Sequence, residues 1–214
     1  ILKNFNYSQM KKILLASNNT GKIKEFNALL SSIGTEVIPL KQLMIEQCAE
    51  PFDTFIENAI AKARNAAEHS DLPVLADDSG ICVNSLDGKP GVRSARFAHD
   101  GASDGENISL LLKSLEGKKD RKAFFYCAII LLRAREDPAP LIAVGQWSGE
   151  ILESGRGTGG FGYDSIFFDP ILRKSAAQLT ESEKNSVSHR GQAMRQIEYL
   201  MKKTIHQSDF FISR

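Results

Sequence analysis

The amino-acid sequence predicts an α/β (mixed α+β) protein, in which helices pack against one mixed sheet. Short apolar runs typical of strands alternate with longer segments whose apolar residues recur every three or four positions, the spacing of a helix. Two long strand-like segments that follow one another suit an antiparallel hairpin, which makes the sheet mixed. This order of elements favours a layered fold of helices on a sheet.

The first elements alternate between strand and helix. Residues 12–16 (KILLA) form a short apolar run, and a second strand is expected over Glu36–Pro39. Residues 23–34 between them carry apolar side chains at helical spacing and end at Gly34, which is well suited to a helix C-terminus. The sequence therefore predicts a strand, a helix and a second strand.

Two capping boxes predict the starts of further helices. Thr54-x-x-Glu57 and Ser103-x-x-Glu106 have the residue types that satisfy free backbone N–H groups at a helix N-terminus. The helix after Thr54 is expected to bury one face, made of Ile56, Ala59, Ile60 and Ala63.

The second half of the chain is expected to contain a hairpin and a long helix. Strands are expected within residues 123–134 and 140–152, with a polar turn at residues 136–140. The last helix is expected over residues 187–204. Its inward-facing residues would be Ala193, Ile197, Leu200 and Met201.

Composition excludes several classes of protein. The net charge of +1 gives no basic field for nucleic acid or membrane binding, and no segment approaches the ~18 apolar residues of a membrane span. Three cysteines without CxxC spacing argue against a disulfide framework or a zinc site, and favour the cytoplasm. We expect an N-terminal extension without a functional role (1–10), one two-lobed domain (11–205) and a C-terminal tail (206–214).

The segment 74–83, VLADDSGICV, places charge and glycine inside an apolar run. Because side chains of a strand alternate between faces, Asp77 and Asp78 cannot both line one site unless the strand ends there. We expect the strand to end at a cleft, with Gly80 leaving room for a ligand. Asp78 would then face the site, and a turn with an Asx cap is the alternative.

Three further segments have groups suited to a nucleotide. The loop 17–22, SNNTGK, lies between a strand and a helix N-terminus, a favourable place for phosphate, although it is not a Walker loop and an ordinary helix cap would also explain it. In 157–168, GTGGFGYDSIFF, Phe161 or alternatively Tyr163 could stack on a base, and Asp164 could accept from a base N–H. A glycine-rich hairpin with Phe167 and Phe168 in the core is the alternative.

The third segment, 184–191 (KNSVSHRG), concentrates the donors Lys184, His189 and Arg190 before a helix. A solvated basic loop is the alternative reading. Asp78, with Glu50 from the loop before Thr54, would suit Mg²⁺, which is typically held by one or two carboxylates and phosphate oxygens.

Six motifs together resemble one family: SNNTGK, FIENAIAKA, ADDSG, LDGKPGVRSARFA, GTGGFGYDSIFF and LTESEKNSVSHRGQA. In this order and spacing they resemble the non-standard purine nucleoside-triphosphate pyrophosphatases, the Ham1 or inosine-triphosphate pyrophosphatase family. The resemblance implies a Mg²⁺-dependent enzyme (Mn²⁺ being an alternative ion) that hydrolyses ITP, dITP or XTP to the monophosphate and pyrophosphate. It also implies an elongated, highly twisted mixed sheet, two lobes with a central cleft, and a homodimer.

The resemblance assigns roles to residues of this chain. Asp78 would be the catalytic carboxylate and, with Glu50, a metal ligand; Lys62 would help Lys22 to stabilise the leaving group. The residues assigned to substrate binding are Ser17, Asn18, Asn19, Thr20, Gly21, Lys22, Lys62, Ser79, Phe161, Gly162, Tyr163, Asp164, Lys184, His189 and Arg190.

Two departures and two alternatives accompany this interpretation. Ser165 stands where the family usually has proline, and Glu50 is one glutamate where relatives often carry two. A Maf-like pyrophosphatase for modified pyrimidine or standard deoxynucleoside triphosphates is one alternative. A nucleotide- or RNA-binding module without catalysis is the other.

Overall fold

A computed structural model of the chain describes residues 10–31 and 33–210, and its account of side chains ends at Lys202. The expected N-terminal extension, apart from Met10, lies outside the described residues, as do residues 211–214 of the expected tail. No helix in this described part has the length and apolar character that crossing a membrane requires.

Strands and helices alternate along the described chain much as expected. The strands are β1 (Lys12–Leu15), β2 (Glu36–Pro39), β3 (Val74–Val83), β4 (Lys122–Leu132), β5 (Leu141–Ile151), β6 (Phe167–Asp169) and β7 (Lys174–Ser175). The helices are α1 (Thr20–Ser31), α2 (Phe55–Ala67), α3 (Asp104–Ser114), α4 (Glu181–Val187) and α5 (His189–Phe210).

One twisted sheet contains the seven described strands in the order β2-β1-β3-β4-β5-β6-β7. β1 pairs in parallel with both β2 and β3, whereas β6 pairs antiparallel with β5 and β7. The sheet is therefore mixed, and helices flank it. The α/β prediction is confirmed.

The chain divides into two compact units. The first comprises the described residues up to Asp78, Ala128–Val144 and the described residues from Ala193; the second comprises Ser79–Cys127 and Gly145–Gln192. The first unit buries apolar side chains of β1, α1 and the start of β3, among them Leu14, Leu15, Phe26, Leu30, Val74 and Leu75. The second has its own core, which includes Ile81, Leu111, Phe125, Trp147, Tyr163 and Phe167.

The expectation that the strand ends at Asp78 is wrong, because β3 runs unbroken from Val74 to Val83. Asp77 and Asp78 lie within the strand and are 0% and 4% exposed. A strand tolerates this pair because each carboxylate faces a lysine ammonium, Lys22 for Asp77 and Lys62 for Asp78. The charges are thus neutralised locally, and the strand does not have to end to expose them.

Gly80 makes room for this chain itself rather than for a ligand. A Cβ at this position would lie 2.3 Å from the carbonyl oxygen of Gly91 and 2.4 Å from Ser94 Oγ. Ser94 Oγ accepts a hydrogen bond from Ile81 N and donates to Gly91 O. The 3₁₀ segment Gly91–Arg96 therefore packs directly on β3, which explains part of the motif LDGKPGVRSARFA.

Replacing Gly80 by alanine is expected to destabilise the protein by about 1–3 kcal/mol, because a methyl group would overlap backbone that cannot rotate away. Denaturant unfolding monitored by circular dichroism measures the change. Gly105→Ala is the matched control, since its Cβ would meet its nearest neighbour at 4.0 Å, and it should leave stability unchanged or slightly higher. Equal stability of the two variants would contradict this packing.

The helix starts follow the capping signals, with one refinement. Ser103 and Glu106 form the full reciprocal box, whereas Glu57 accepts from the Thr54 hydroxyl and not from its backbone. The expected buried face of α2 is partly wrong: Ile56 and Ile60 are only half-buried. Its buried residues are Asn58, Ala59, Lys62, Ala63, Ala66 and Ala67.

Several later elements differ from expectation. Helix α4 was not predicted, although Thr180-x-x-Glu183 forms a capping box at its start. Helix α5 continues to Phe210, since no glycine or proline interrupts the sequence after Gly191.

Phe167 is buried as expected, but Phe168 is half-buried, with the guanidinium of Arg156 6.0 Å from its ring centroid. In α5, Ala193, Ile197 and Met201 are buried as expected, whereas Leu200 is half-buried.

Candidate active site

Two lysines and three carboxylates meet in the first unit. We call them the carboxylate–lysine cluster: Lys22, Glu50, Lys62, Asp77 and Asp78. Lys22 belongs to the first turn of α1, Lys62 to the buried face of α2, and the two aspartates to β3. Glu50 lies in the loop before α2. The chain order of these elements separates the residues widely, and the fold brings them together.

The two aspartates of β3 have different partners. Asp77 Oδ2 lies 2.9 Å from Lys22 Nζ. Asp78 Oδ1 lies 3.0 Å from Lys62 Nζ. Alternation along the strand explains why consecutive carboxylates contact lysines from different helices. The expected difference in role between Asp77 and Asp78 therefore has a geometric basis.

Lys62 is shared between two carboxylates. Its ammonium contacts Asp78 Oδ1 and, at 2.7 Å, Glu50 Oε1. Burial alone would lower the pKa of Lys62, but the charges of Asp78, Asp77 and Glu50 outweigh it and raise the pKa above its ordinary value. Lys62 is consequently a permanent cation that holds Glu50 and Asp78 near one point.

The Asp78 carboxyl is held in a state that favours proton uptake. Burial raises its pKa above the ordinary value, while Lys62 and Lys22 reduce that rise and Glu50 adds to it. A carboxylate whose pKa is raised is a stronger base than an ordinary aspartate. Asp78 is thus suited to accept a proton from water.

The loop before α1 forms a helix cap and presents Lys22. Asn19 Oδ1 accepts from Lys22 N at 3.0 Å, and the Ser17 hydroxyl accepts from Asn19 N. Asn18 Oδ1 accepts from the backbone of Lys41. Thr20 begins the helix. The helix-cap interpretation is therefore confirmed, and the phosphate interpretation remains a prediction that the helix N-terminus and the Lys22 charge support.

The donor set of this cluster fits a Mg²⁺ ion of the kind that also contacts phosphate. Glu50 and Asp78 both lie within hydrogen-bond distance of one ammonium, so their oxygens converge. The described residues contain no group of three or more His, Cys, Asp or Glu side chains arranged to hold a metal ion. Two carboxylates nevertheless match Mg²⁺, which commonly takes its remaining ligands from water and substrate phosphates.

A second group of residues, the aromatic–cation cluster, lies in the second unit. It comprises Phe161, Asp164, Lys184, His189 and Arg190. Lys184 Nζ lies 5.0 Å and Arg190 Cζ 5.9 Å from the Phe161 ring centroid. Cations at these distances are attracted to the face of an aromatic ring. The predicted stacking ring and the predicted donors therefore lie together.

Asp164 holds the loop that carries Phe161. Its Oδ2 accepts from Phe161 N at 3.0 Å and from Lys184 Nζ at 2.5 Å. A Cβ on Gly160 would lie 2.0 Å from the same oxygen, so only glycine at this position allows the Asp164 carboxylate to approach the backbone of the loop. Gly162 N donates to Asp104 Oδ2 at 2.6 Å. In this arrangement Asp164 orders the loop, and its expected contact with a base N–H remains a prediction.

Arg190 and His189 are buried, and so is Lys184. Arg190 is 2% exposed and donates through Nη2 to Ser79 Oγ at 2.8 Å. The His189 ring stacks on Phe125 with centroids 4.8 Å apart. The interpretation of this segment as a solvated basic loop is therefore wrong, because no free basic loop buries three cationic or ionisable side chains.

Tyr163 is packed in the core of the second unit, and its hydroxyl donates to Ser94 O at 2.8 Å. Its ring is therefore occupied by core contacts, and Phe161 is the better candidate for stacking on a base. Both residues lie in one short loop, and only their packing distinguishes them.

Sequence analysis missed three residues that support these clusters. Asn58 contacts Asp78, Asp104 contacts the Phe161 loop, and Ser94 contacts β3 and Tyr163. Asn58 was detectable, because a polar residue four positions before Lys62 shares the helix face of small buried alanines. Nothing local distinguishes Asp104 and Ser94, since their partners are distant in sequence.

Comparison with known proteins identifies the family. The sequence profile of the Ham1 family matches residues 13–199. A protein of Ralstonia nicotianae named dITP/XTP pyrophosphatase is 50% identical over 191 residues, which cover 88% of this chain and 95% of that protein. A protein of Aromatoleum aromaticum with the same name is 52% identical over 186 residues, which cover 87% and 94%.

Solved structures agree. A HAM1 protein from Coxiella burnetii is similar with a TM-score of 0.83 and 44% identity, over 91% of this chain and all (100%) of that chain. The Ham1 protein of Staphylococcus aureus has a TM-score of 0.79 and 38% identity over 91% and 100%. The resemblance seen in the sequence is confirmed, and the chain belongs to the Ham1 family.

Proposed function

We propose that this protein hydrolyses non-standard purine nucleoside triphosphates, namely ITP, dITP and XTP, to the nucleoside monophosphate and pyrophosphate. Such an activity removes these nucleotides before they enter DNA or RNA. The observation that carries the proposal is the pairing of Asp78 and the half-buried Glu50 with the buried Lys62. It occurs in a chain that is half identical to relatives named dITP/XTP pyrophosphatase.

The carboxylate–lysine cluster suits hydrolysis at the α-phosphorus. Asp78 accepts a proton from water while the oxygen of that water forms the new bond to the α-phosphorus. The bond from the α-phosphorus to the bridging oxygen breaks, which releases pyrophosphate. Lys22 and Lys62 offset negative charge on the phosphates and the leaving group. The N-terminal turn of α1, with Thr20 and Gly21, offers backbone N–H groups to the same anion.

Glu50 and Asp78 would hold a Mg²⁺ ion, for which Mn²⁺ is an alternative. Such an ion, when bound, supplies positive charge to phosphate oxygens. Lys62 contacts the same two carboxylates. This assignment leaves Asp77 as the partner of Lys22.

The aromatic–cation cluster suits base recognition. Phe161 offers a ring for stacking, and Arg190 and His189 offer donors that pair with the 6-oxygen of hypoxanthine or xanthine. Adenine has an amino group at that position, so its N–H donors would face the N–H donors of Arg190 and His189 without an acceptor between them. A buried site that lacks a partner for a polar group discriminates strongly. Selection against ATP follows directly from this chemistry.

A single assay tests the proposal. ITP, XTP, GTP, ATP and dUTP are offered with Mg²⁺, and pyrophosphate is scored separately from orthophosphate. We expect pyrophosphate and monophosphate from ITP and XTP, with far lower turnover of ATP. Orthophosphate as the sole product would contradict attack at the α-phosphorus. Preference for dUTP would favour the Maf-like alternative, and no turnover of any triphosphate would favour a binding module.

The oligomeric state and the cellular compartment of the protein are part of the same proposal. We propose a cytoplasmic homodimer, from the family resemblance and from the three cysteines, which form no disulfide with one another. Cysteines that remain reduced are typical of a reducing compartment. Analytical ultracentrifugation tests the dimer, since a single species at the monomer mass of 23.6 kDa would exclude it.

Replacing Phe161 by alanine should raise KM for ITP, because base stacking contributes about 1–3 kcal/mol to binding. The kcat value should change much less, since the ring does not act on phosphorus. Steady-state kinetics across ITP concentrations measures both. Phe161→Tyr keeps the ring and serves as the control, with KM near that of the wild type. An unchanged KM in the alanine variant would exclude stacking.

The pH dependence of kcat should show an acidic limb set by Asp78. Only the ionised carboxylate accepts a proton, so turnover falls as pH drops through its pKa. Burial raises that pKa in the metal-free protein, whereas a Mg²⁺ ion held by Asp78 would lower it and move the limb to lower pH. A kcat profile with no acidic limb would contradict this assignment.

A further inference from the structure

A buried asparagine of α2 is hydrogen-bonded to the backbone of the segment that follows Glu50. Asn58 is 0% exposed. Its Oδ1 accepts from the backbone N of Phe52 at 3.0 Å, and its Nδ2 donates to the carbonyl oxygen of the same residue at 3.0 Å. The two bonds fix the backbone two residues beyond Glu50 against the helix. An amide engaged on both sides in this way is costly to lose.

The same amide faces Asp78. Its Nδ2 lies 3.4 Å from Asp78 Oδ2, so the second N–H of the amide is directed at the carboxylate. The amide cannot be reversed, because its oxygen would then face both the Phe52 carbonyl and the Asp78 carboxylate. The backbone of Phe52 therefore determines that Asp78 meets a donor here.

Lys62 completes the arrangement from the same helix face, one turn further along α2. Its ammonium contacts Oδ1 of Asp78, whereas Asn58 contacts Oδ2. One bonded oxygen leaves a carboxylate free to rotate about its Cβ–Cγ bond, whereas donors on both oxygens define its plane. Each side chain also holds the preceding loop, Lys62 at Glu50 and Asn58 at Phe52.

We infer that Asn58 is a positioning residue for the hydrolysis proposed above, and the inference rests on that function. Asn58 orients the carboxylate plane of Asp78 and holds the loop so that Glu50 and Asp78 converge on Lys62. It acts through Asp78 and Glu50, which are the groups assigned to the reaction. Its loss therefore misplaces the reacting carboxylate without removing a charge from the cluster.

The test is Asn58→Ala, compared with the wild type in ITP hydrolysis and in thermal unfolding. We expect kcat to fall about 10–100-fold, the usual effect of removing a residue that orients a reacting or metal-binding group, with KM unchanged. Asn58→Ser is the second variant. It adds no buried charge and keeps a hydroxyl that can pair with polar neighbours, so it serves if the alanine variant does not fold; it should also lose turnover, because the shorter side chain withdraws the amide donor from Asp78 Oδ2.

The chain offers a matched control in Asn107 of α3. This asparagine is 3% exposed, its Oδ1 accepts from Ala98 N at 2.9 Å, and its Nδ2 donates to Ala95 O at 3.2 Å. Asn107→Ala thus removes the same kind of buried amide–backbone pair. We expect a comparable drop in unfolding temperature but a kcat near that of the wild type. Loss of stability alone would then not explain the effect at Asn58.

A double variant separates positioning from general damage. In the Asp78→Asn background, Asn58→Ala should cause a much smaller loss of kcat than in the wild-type background, because one of the two groups through which it acts has already been removed and only the contribution through Glu50 remains. A full additional loss there, or a kcat loss no larger than that of Asn107→Ala, would overturn the inference while leaving the proposed function intact. A wild-type protein that releases no pyrophosphate from ITP would overturn both.

Discussion

Replacing Asp78 by asparagine will lower kcat for ITP by about 10²–10⁴-fold, the range typical of a lost general base. Asparagine preserves the shape of the side chain and can still accept from Lys62 through its oxygen, but it cannot take a proton from water. The measurement is steady-state release of pyrophosphate by the purified variant. Wild-type turnover in this variant would remove Asp78 from the mechanism.

The same substitution should not weaken the fold. A carboxyl whose folded-state pKa is raised contributes stability at pH below its unfolded pKa and loses that contribution as pH rises through the folded value. Burial raises the pKa of Asp78, so its charge opposes folding at neutral pH. Because Lys62 keeps Glu50 as an ionic partner after the substitution, Asp78→Asn should unfold near the wild-type temperature. Asp71→Asn, at an exposed carboxylate, is the control for both activity and stability.

Replacing Lys62 by methionine should lower the free energy of unfolding by about 3–5 kcal/mol, as expected when one partner of a buried ion pair is removed. The lysine side chain is buried, and its loss leaves Asp78 and Glu50 without the cation they share. Turnover should fall as well, because the ammonium group that holds the carboxylates of Asp78 and Glu50 close together is lost. Chemical denaturation at neutral pH measures the stability change.

The pH dependence of that loss checks its electrostatic origin. The pKa of Lys62 is raised from 10.5, so its stabilising charge is fully present at neutral pH and is lost only above that value. The difference between variant and wild type should shrink at acidic pH, where the carboxylates become protonated. Lys113→Met, at an exposed lysine of α3, should have little effect at any pH. A constant difference across pH would indicate lost packing rather than lost charge.

Local patterns predicted much of the fold. Residues Glu36–Pro39 form the expected strand, and Thr54 and Ser103 begin helices as their capping patterns indicate. Each cap joins residues three positions apart, so the linear sequence contains the whole of that interaction, and the strand was recognised from its residue types alone. Contiguous motifs of five or more residues likewise sufficed for the family, because each can be compared along the chain without knowing its neighbours in space.

The structure altered what the DDSG segment means. Its polar residues favoured the end of a strand, yet β3 continues through them. The deciding interactions are the ammonium groups of Lys22 and Lys62, which come from two helices that precede the strand by many residues. Periodicity along the chain contains no information about such a pairing, so the local rule against charge in a buried strand gave the wrong result here.

The sequence by itself determined the alternation of elements, the helix starts, the family and the residue types of the candidate site. Tertiary structure alone decided which lysine neutralises which aspartate, that Gly80 admits the segment Gly91–Arg96, and that Asn58 belongs with Asp78. The physical reason is the range of the interactions. Backbone propensity and capping act between near neighbours, whereas burial and ion pairing depend on which elements the fold packs against one another.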